Sequence, residues 1–336
     1  MTTMVQGMLI KKWNFFALGF CLFFCLSNET AAISQPRASV AIVTSGTIER
    51  LENFPSRFVD ARHVDVWLPD GYSLSKNTKQ STKQRANQYT NKRYNVLYMH
   101  DGQMLFDPST TWNKQSWGVD VTMARLIKEG KIPDTIVVGI WNNGKYRHAE
   151  YFPEKHLPFL TDAVRTQLIK EGLQGKPLAD NYLRFLVEEL KPAIDKKYAT
   201  RTDAASTFIM GSSMGGLISV YAMNEYPQVF GGSAGLSTHW MGGIKANSAI
   251  PLAAFNYLRD HLAEPKSHRL YQDHGTIELD TAYAPYQVFV NEIVRDRGYT
   301  DANFMSRVFE GTGHNETAWA QRLDIPILFL MGVVQP

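Results

Sequence analysis

Apolar positions in this chain fall mainly into short unbroken runs, with stretches of helical spacing between them. Tyr94–Met99, Thr135–Ile140, Ser206–Met210 and Gly232–Leu236 are runs of the kind a strand shows when both its faces are covered. His268–Tyr271 and Met305–Phe309 read as the last two strands. Ahead of them all, Ser39–Thr44 and Arg62–Pro69 are β-rich, and the second alternates in character before a Pro69-Asp70-Gly71 turn. Helical spacing marks Asp120–Gly130, Asn181–Tyr198, Leu217–Glu225 and Tyr286–Asp296. In the second of these, Leu183, Leu186, Val187, Leu190 and Ile194 share one face, and Pro192 is expected to kink it. Buried strands alternating with helices predict an α/β fold: a mostly parallel central sheet, helices on both faces, one domain.

Two segments break the pattern. Lys11 and Lys12 precede a 14-residue apolar run, Trp13–Leu26, followed by small residues up to Ala32. A bilayer span needs roughly 20 residues, so residues 1–32 read as a secretory signal peptide rather than a permanent membrane anchor. Residues 33–336 then form the folded domain, exported to a periplasm or the exterior, with a bacterial envelope favoured. The second segment, 71–93, holds six basic residues and no acid, with almost nothing to bury. It reads as a solvated hairpin loop.

Composition narrows the chemistry. The chain has 336 residues, 44% apolar and 20% charged, which suits a folded domain and not a disordered one. Its net charge of +3 gives no case for nucleic-acid binding. The two cysteines, Cys21 and Cys25, both fall in the expected signal peptide. The folded domain therefore has no disulfide framework, cysteine-ligated metal or catalytic thiol.

A nucleophile remains. Gly211-Ser212-Ser213-Met214-Gly215 is G-x-S-x-G placed between a strand and a helix, which presents Ser213 on a tight turn. A serine needs a base, and His314 follows the last strand behind Gly311 and Gly313, where such a fold carries one. His239 and His274 are weaker rivals. The acid should follow the penultimate strand, within Asp273–Asp280. Asp280 is taken, with Glu278 open as the alternative, because spacing does not separate them. For the oxyanion hole, the residue after the nucleophile is Met214, and the loop after the Tyr94–Met99 strand offers Gln103 or, alternatively, Gly102. His100 and Asp101 lack a clustered third ligand, so no metal and no cofactor is expected.

Tyr98-Met99-His100-Asp101-Gly102-Gln103-Met104-Leu105-Phe106-Asp107, Gly139-Ile140-Trp141-Asn142, Gly211–Gly216 and Gly313-His314-Asn315-Glu316 appear in order. Together they resemble the "Putative esterase" family of α/β-hydrolases. That group includes enterochelin (siderophore) esterases, feruloyl and acetyl-xylan esterase domains and S-formylglutathione hydrolases. The resemblance spans about Arg62 to Leu330. It implies an α/β-hydrolase fold, Ser213 as nucleophile, His314 as base, and Trp117, Arg147 and Glu150 near the pocket mouth. The expected function is serine carboxyl-ester hydrolysis of a small-molecule, carbohydrate or siderophore ester. An acyltransferase using the same triad, or a catalytically silent binding protein, are the alternatives.

Overall fold

The computed structural model describes residues 39–72, 92–243 and 247–333. The expected signal peptide, 1–32, and most of the basic segment lie outside the described residues. Eight strands form one sheet: β1 (Thr47–Phe54), β2 (Arg62–Leu68), β3 (Asn95–His100), β4 (Thr135–Ile140), β5 (Thr207–Ser212), β6 (Gly232–Leu236), β7 (Arg269–Gly275) and β8 (Phe304–Phe309). Their order across the sheet is β1-β2-β4-β3-β5-β6-β7-β8. β1 and β2 run antiparallel to each other, and β2 antiparallel to β4. All pairings from β4 to β8 are parallel.

The unbroken apolar runs have a direct cause. Side chains alternate across a strand, and here each face has its own core. Val96, Tyr98, Ile136, Val138 and Ile209 enter one buried cluster. Their immediate neighbours Leu97, Met99, Val137, Phe208 and Met210 enter the other. The helices that cover the sheet include α1 (Val119–Lys128), α2 (Arg147–Tyr151), α3 (Asp162–Gln167), α4 (Ala179–Arg184), α5 (Lys191–Lys197), α6 (Met214–Glu225), α7 (Ala249–His261), α8 (Ala284–Asp296), α9 (Glu316–Ala320) and α10 (Asp324–Met331).

Two expectations change. Residues 39–44 are not a strand: the Ile42 and Thr44 amides donate to the side chains of Asp107 and Asp120, at 3.0 and 2.7 Å. The first strand is instead Thr47–Phe54, a sheet edge whose alternating polar residues disguise it. β4 lies between β2 and β3 in the sheet, so these two strands do not pair with each other. The helix expected over 181–198 is broken by a wide π-type turn at Phe185–Leu190, immediately before Pro192. Proline lacks the N–H that would continue an α-helical ladder, and the wider turn absorbs the loss.

Candidate active site

The parallel strands end on one side of the sheet, and the candidate residues sit in the loops there. β5 ends at Ser212 and α6 begins at Met214, so Ser213 alone makes the turn. Its φ of 56° and ψ of −123° are strained for a residue with a side chain, a cost of about 1–3 kcal/mol. The turn is that tight because its neighbours are glycines. A Cβ on Gly211 would lie 2.8 Å from the Gly215 carbonyl carbon, and one on Gly216 2.8 Å from Thr238 Oγ1. The Ser213 amide donates to Leu236 O at 2.9 Å, and its carbonyl accepts from the His239 amide at 3.1 Å. Met214 opens α6, so its N–H belongs to the first-turn donors that have no partner within the helix.

The loop after β3 packs against the same helix start: a Cβ on Gly215 would lie 3.3 Å from both His100 Cβ and Asp101 Oδ2. Asp101 takes a left-handed conformation to open the Gly102–Met104 turn. Its carboxylate accepts two bonds of 2.7 Å from Arg147 and one of 2.7 Å from Asn142. Burial opposes its charge, but Arg147 and Asn142 outweigh burial and hold the carboxyl below its ordinary range. Gly102 is pressed onto β4, where a Cβ would fall 2.5 Å from the Gly139 carbonyl carbon. Gln103 anchors beside it, its Oε1 accepting from the Asn142 amide at 3.2 Å.

His314 lies between β8 and α9, and Asp280 in the short turn after β7. His314 Nδ1 and Asp280 Oδ1 are 2.6 Å apart. Asp280 Oδ2 accepts from the Gly275 amide and the Ser237 hydroxyl, each at 2.6 Å. Burial alone would raise the Asp280 carboxyl. The bonds from His314, Ser237 and Gly275 prevail and hold it below the ordinary range. An ionised carboxylate only accepts, so the Nδ1 of His314 carries the proton and its Nε2 is left as the basic nitrogen.

Glu278 has a different duty. Its Oε2 accepts from the His314 backbone amide at 2.7 Å and from Asn315 Nδ2 at 3.3 Å. Gly313 permits this approach, since a Cβ there would sit 2.5 Å from the Glu278 carboxyl carbon. Of the two candidate acids, Asp280 meets the imidazole and Glu278 meets the loop's backbone.

Tyr283 was not singled out by its sequence, and it lies against His239, the weaker rival base. Tyr283 meets the His314 ring edge to face at 5.7 Å and lies beside the Ser213 hydroxyl. His239 Nε2 faces the Gly243 carbonyl at 3.2 Å, and its Nδ1 is 2.7 Å from Tyr283 Oη. A carbonyl only accepts, so Nε2 bears the hydrogen and Tyr283 donates to Nδ1. Burial pulls His239 down to about 4, which keeps it neutral. Ser237-Thr238-His239 directly follows the strand beside β5; that adjacency was the available signal.

The pocket at Ser213 has a volume of about 370 Å³ and is lined by Arg147, His148, Met214, His239 and Leu279 among others. A larger cavity, about 810 Å³, opens beside Asn95, Phe208 and Arg269 at the opposite strand ends. Open α/β sheets place ligands at the carboxyl ends of the strands, which favours the smaller pocket. Two expected mouth residues are elsewhere. Trp117 is buried in the core and packs on Trp319 at 5.5 Å, which in turn meets His314 at 5.1 Å. Glu150 is fully buried, makes bonds of 2.6 and 2.7 Å to Arg62, and lines a separate cleft with Arg57 and Lys176. Of the three, only Arg147 lines the pocket. Among the described residues, no three metal-ligating side chains converge.

The endo-1,4-beta-xylanase/feruloyl esterase of Xylanibacter ruminicola is 27% identical over 292 residues, 84% of this chain and 31% of that protein. The ferri-bacillibactin esterase BesA of Bacillus subtilis is 30% identical over 157 residues, 44% of this chain and 49% of that protein. The chain thus spans less than half the length of these two relatives. A solved ferulic acid esterase superposes with a TM-score of 0.58 at 20% identity, covering 85% of this chain and 98% of that one, and shares the α/β-hydrolase fold. The family model described as "Putative esterase" matches residues 57–326. Since that match runs from β2 through the loops of Ser213, Asp280 and His314 to α10, the chain belongs to the "Putative esterase" family.

Proposed function

We propose that this chain is an exported serine carboxyl-ester hydrolase working through an acyl-enzyme on Ser213. The observation that carries the reading is a strained serine at a strand-to-helix turn, with a 2.6 Å imidazole–carboxylate pair on the adjoining loops. In this mechanism Ser213 Oγ attacks the ester carbonyl and its proton passes to His314 Nε2. The developing oxyanion is held by the amides of Met214 and Gln103, with Gly102 as the alternative second donor. His314 returns the proton to the departing alcohol. Water then attacks the acyl-enzyme as His314 takes its proton, and the acyl–Oγ bond breaks, releasing the acid while His314 returns that proton to Ser213 Oγ. Asp280 orients the imidazole and stabilises its charged form.

Relatives that act on feruloyl and siderophore esters, by their names, support a small-molecule, carbohydrate or siderophore ester as substrate. Export is supported by the Lys11–Ala32 pattern. Among the described residues, no helix is long and apolar enough to cross a membrane. A fluorophosphonate probe tests the mechanism: labelling of Ser213 and its loss in Ser213→Ala are expected, and equal labelling in that variant refutes the reading.

A further inference from the structure

We propose that Ser237 is a positioning residue for this hydrolysis, its hydroxyl fixing the Asp280 carboxylate against His314 under the direction of Trp319 and Arg322. The inference rests on the roles assigned above to Ser213, His314 and Asp280.

Ser237 follows β6, the strand next to the one that carries the nucleophile. Three groups surround its Oγ: Asp280 Oδ2 at 2.6 Å, Trp319 Nε1 at 3.0 Å and Arg322 Nη2 at 3.2 Å. An indole N–H and a guanidinium only donate, and a hydroxyl has two acceptor sites and one proton. Trp319 and Arg322 take the two acceptor sites, so the proton has a single destination, Asp280 Oδ2. The direction of this bond is imposed by its neighbours.

The neighbours are themselves held. Arg322 reaches both oxygens of Asp273 at 3.0 and 3.2 Å and also donates to Ala318 O at 3.2 Å. Asp273 accepts in addition from Tyr271 Oη at 2.8 Å and from the Ser237 amide at 3.2 Å. Ser237, Asp273, Asp280, Trp319 and Arg322 are all buried, where such bonds are stronger than in water and costly to leave unmade. The cation of Arg322 at the oxygen polarises the O–H toward Asp280.

Asp280 gains a defined orientation. Its Oδ2 is occupied by the Gly275 amide and Ser237, which leaves Oδ1 for His314. Without the hydroxyl, one donor remains on Oδ2 and the carboxylate is freer to turn about its broad terminal torsion. Trp319 joins the same hydroxyl to the base, because its ring meets His314 edge to face at 5.1 Å. Packing alone does not account for serine here. Ser237 has φ 45°, a conformation that glycine takes without strain.

Ser237→Gly and Ser237→Ala separate the hydroxyl from the backbone. Both variants are expected to lose kcat by about 10- to 100-fold, with KM for a p-nitrophenyl ester within about 2-fold of wild type. Fluorophosphonate labelling of Ser213 should slow with kcat. The glycine variant should melt above the alanine variant, since only alanine keeps the strain, so kcat follows the hydroxyl while Tm follows the backbone. A glycine variant with wild-type kcat, losses that track Tm, or an effect confined to KM would each overturn the proposal. If wild-type turnover persists in Ser213→Ala, the mechanism itself falls and this inference with it. Turnover that needs Ser213 but ignores Ser237 removes this inference alone.

Discussion

Replacing Asp280 by asparagine is a perturbation whose outcome follows atom by atom from the site. The new side chain has one oxygen and one NH2 group where the carboxylate had two acceptors. The Gly275 amide and the Ser237 hydroxyl both donate to the Oδ2 position at 2.6 Å, so the amide oxygen must sit there. The NH2 group then faces His314 Nδ1, which has to accept, and the imidazole proton moves to Nε2. That tautomer has no lone pair left for the Ser213 proton. The flipped amide would restore the tautomer but turn an NH2 group onto two buried donors, at about 1–3 kcal/mol for each bond lost. Two such losses bias the tautomer by about 2–6 kcal/mol, and an Asp→Asn change in a serine-protease triad costs ~10⁴ in kcat. Asp280→Asn should therefore lower kcat by ~10³–10⁴-fold with the fold intact. Glu278→Gln keeps an oxygen for the His314 amide and should stay within about 3-fold of wild type. Steady-state hydrolysis of p-nitrophenyl acetate, with the active serines titrated, measures both. A fall of less than 10-fold in Asp280→Asn, or a larger one in Glu278→Gln, refutes the assignment.

Other expectations test the surroundings. Glu150→Ala leaves Arg62 buried without its partner and should cost about 3–5 kcal/mol in denaturant unfolding, with KM unchanged; a selective rise in KM would return Glu150 to the pocket. Gly216→Ala places a methyl 2.8 Å from Thr238 Oγ1 and should reduce fluorophosphonate labelling well before it abolishes folding, which near-UV circular dichroism would report. Burial pulls His100 and His156 down to about 3, whereas in an unfolded chain histidine titrates near 6.5. Between those values the unfolded state binds protons that the folded state does not, so stability is complete above about pH 6.5 and declines toward pH 3. Each histidine should remove about 2 kcal/mol between pH 7 and pH 5. Urea melts of His156→Phe should show a loss smaller by that amount; an unchanged pH dependence contradicts it.

What the chain discloses before folding depends on whether the deciding partner is near in sequence. Val96–Met99 and Ile136–Val138 announce strands because both sheet faces are filled, leaving no polar alternation to confuse them. Thr47–Phe54 hides because an edge strand carries glutamates and an arginine among its apolar residues. The serine turn is legible for the same local reason: its glycines answer steric conflicts within a few residues and with the next strand. Asp280 and Glu278 lie two residues apart, and what separates them is distant, namely Ser237 and the direction of the His314 ring. Arg147 and Glu150 lie three apart, yet one turns to Asp101 and the other to Arg62. No spacing rule predicts that division, because Asp101 and Arg62 come from different strand ends.

The bond from Glu278 to the His314 amide, made through the gap at Gly313, bears on how such enzymes can be recombined. It couples two loops that are distant in the chain into one inheritable block. A chimera whose crossover falls between Glu278 and Gly313 would pair an acid loop from one parent with a base loop from another. Unless both parents keep a carboxylate and a glycine at these positions, the two halves would not be compatible. Loop exchange aimed at a new ester should therefore transplant residues 275–316 together, or leave both ends of that block untouched.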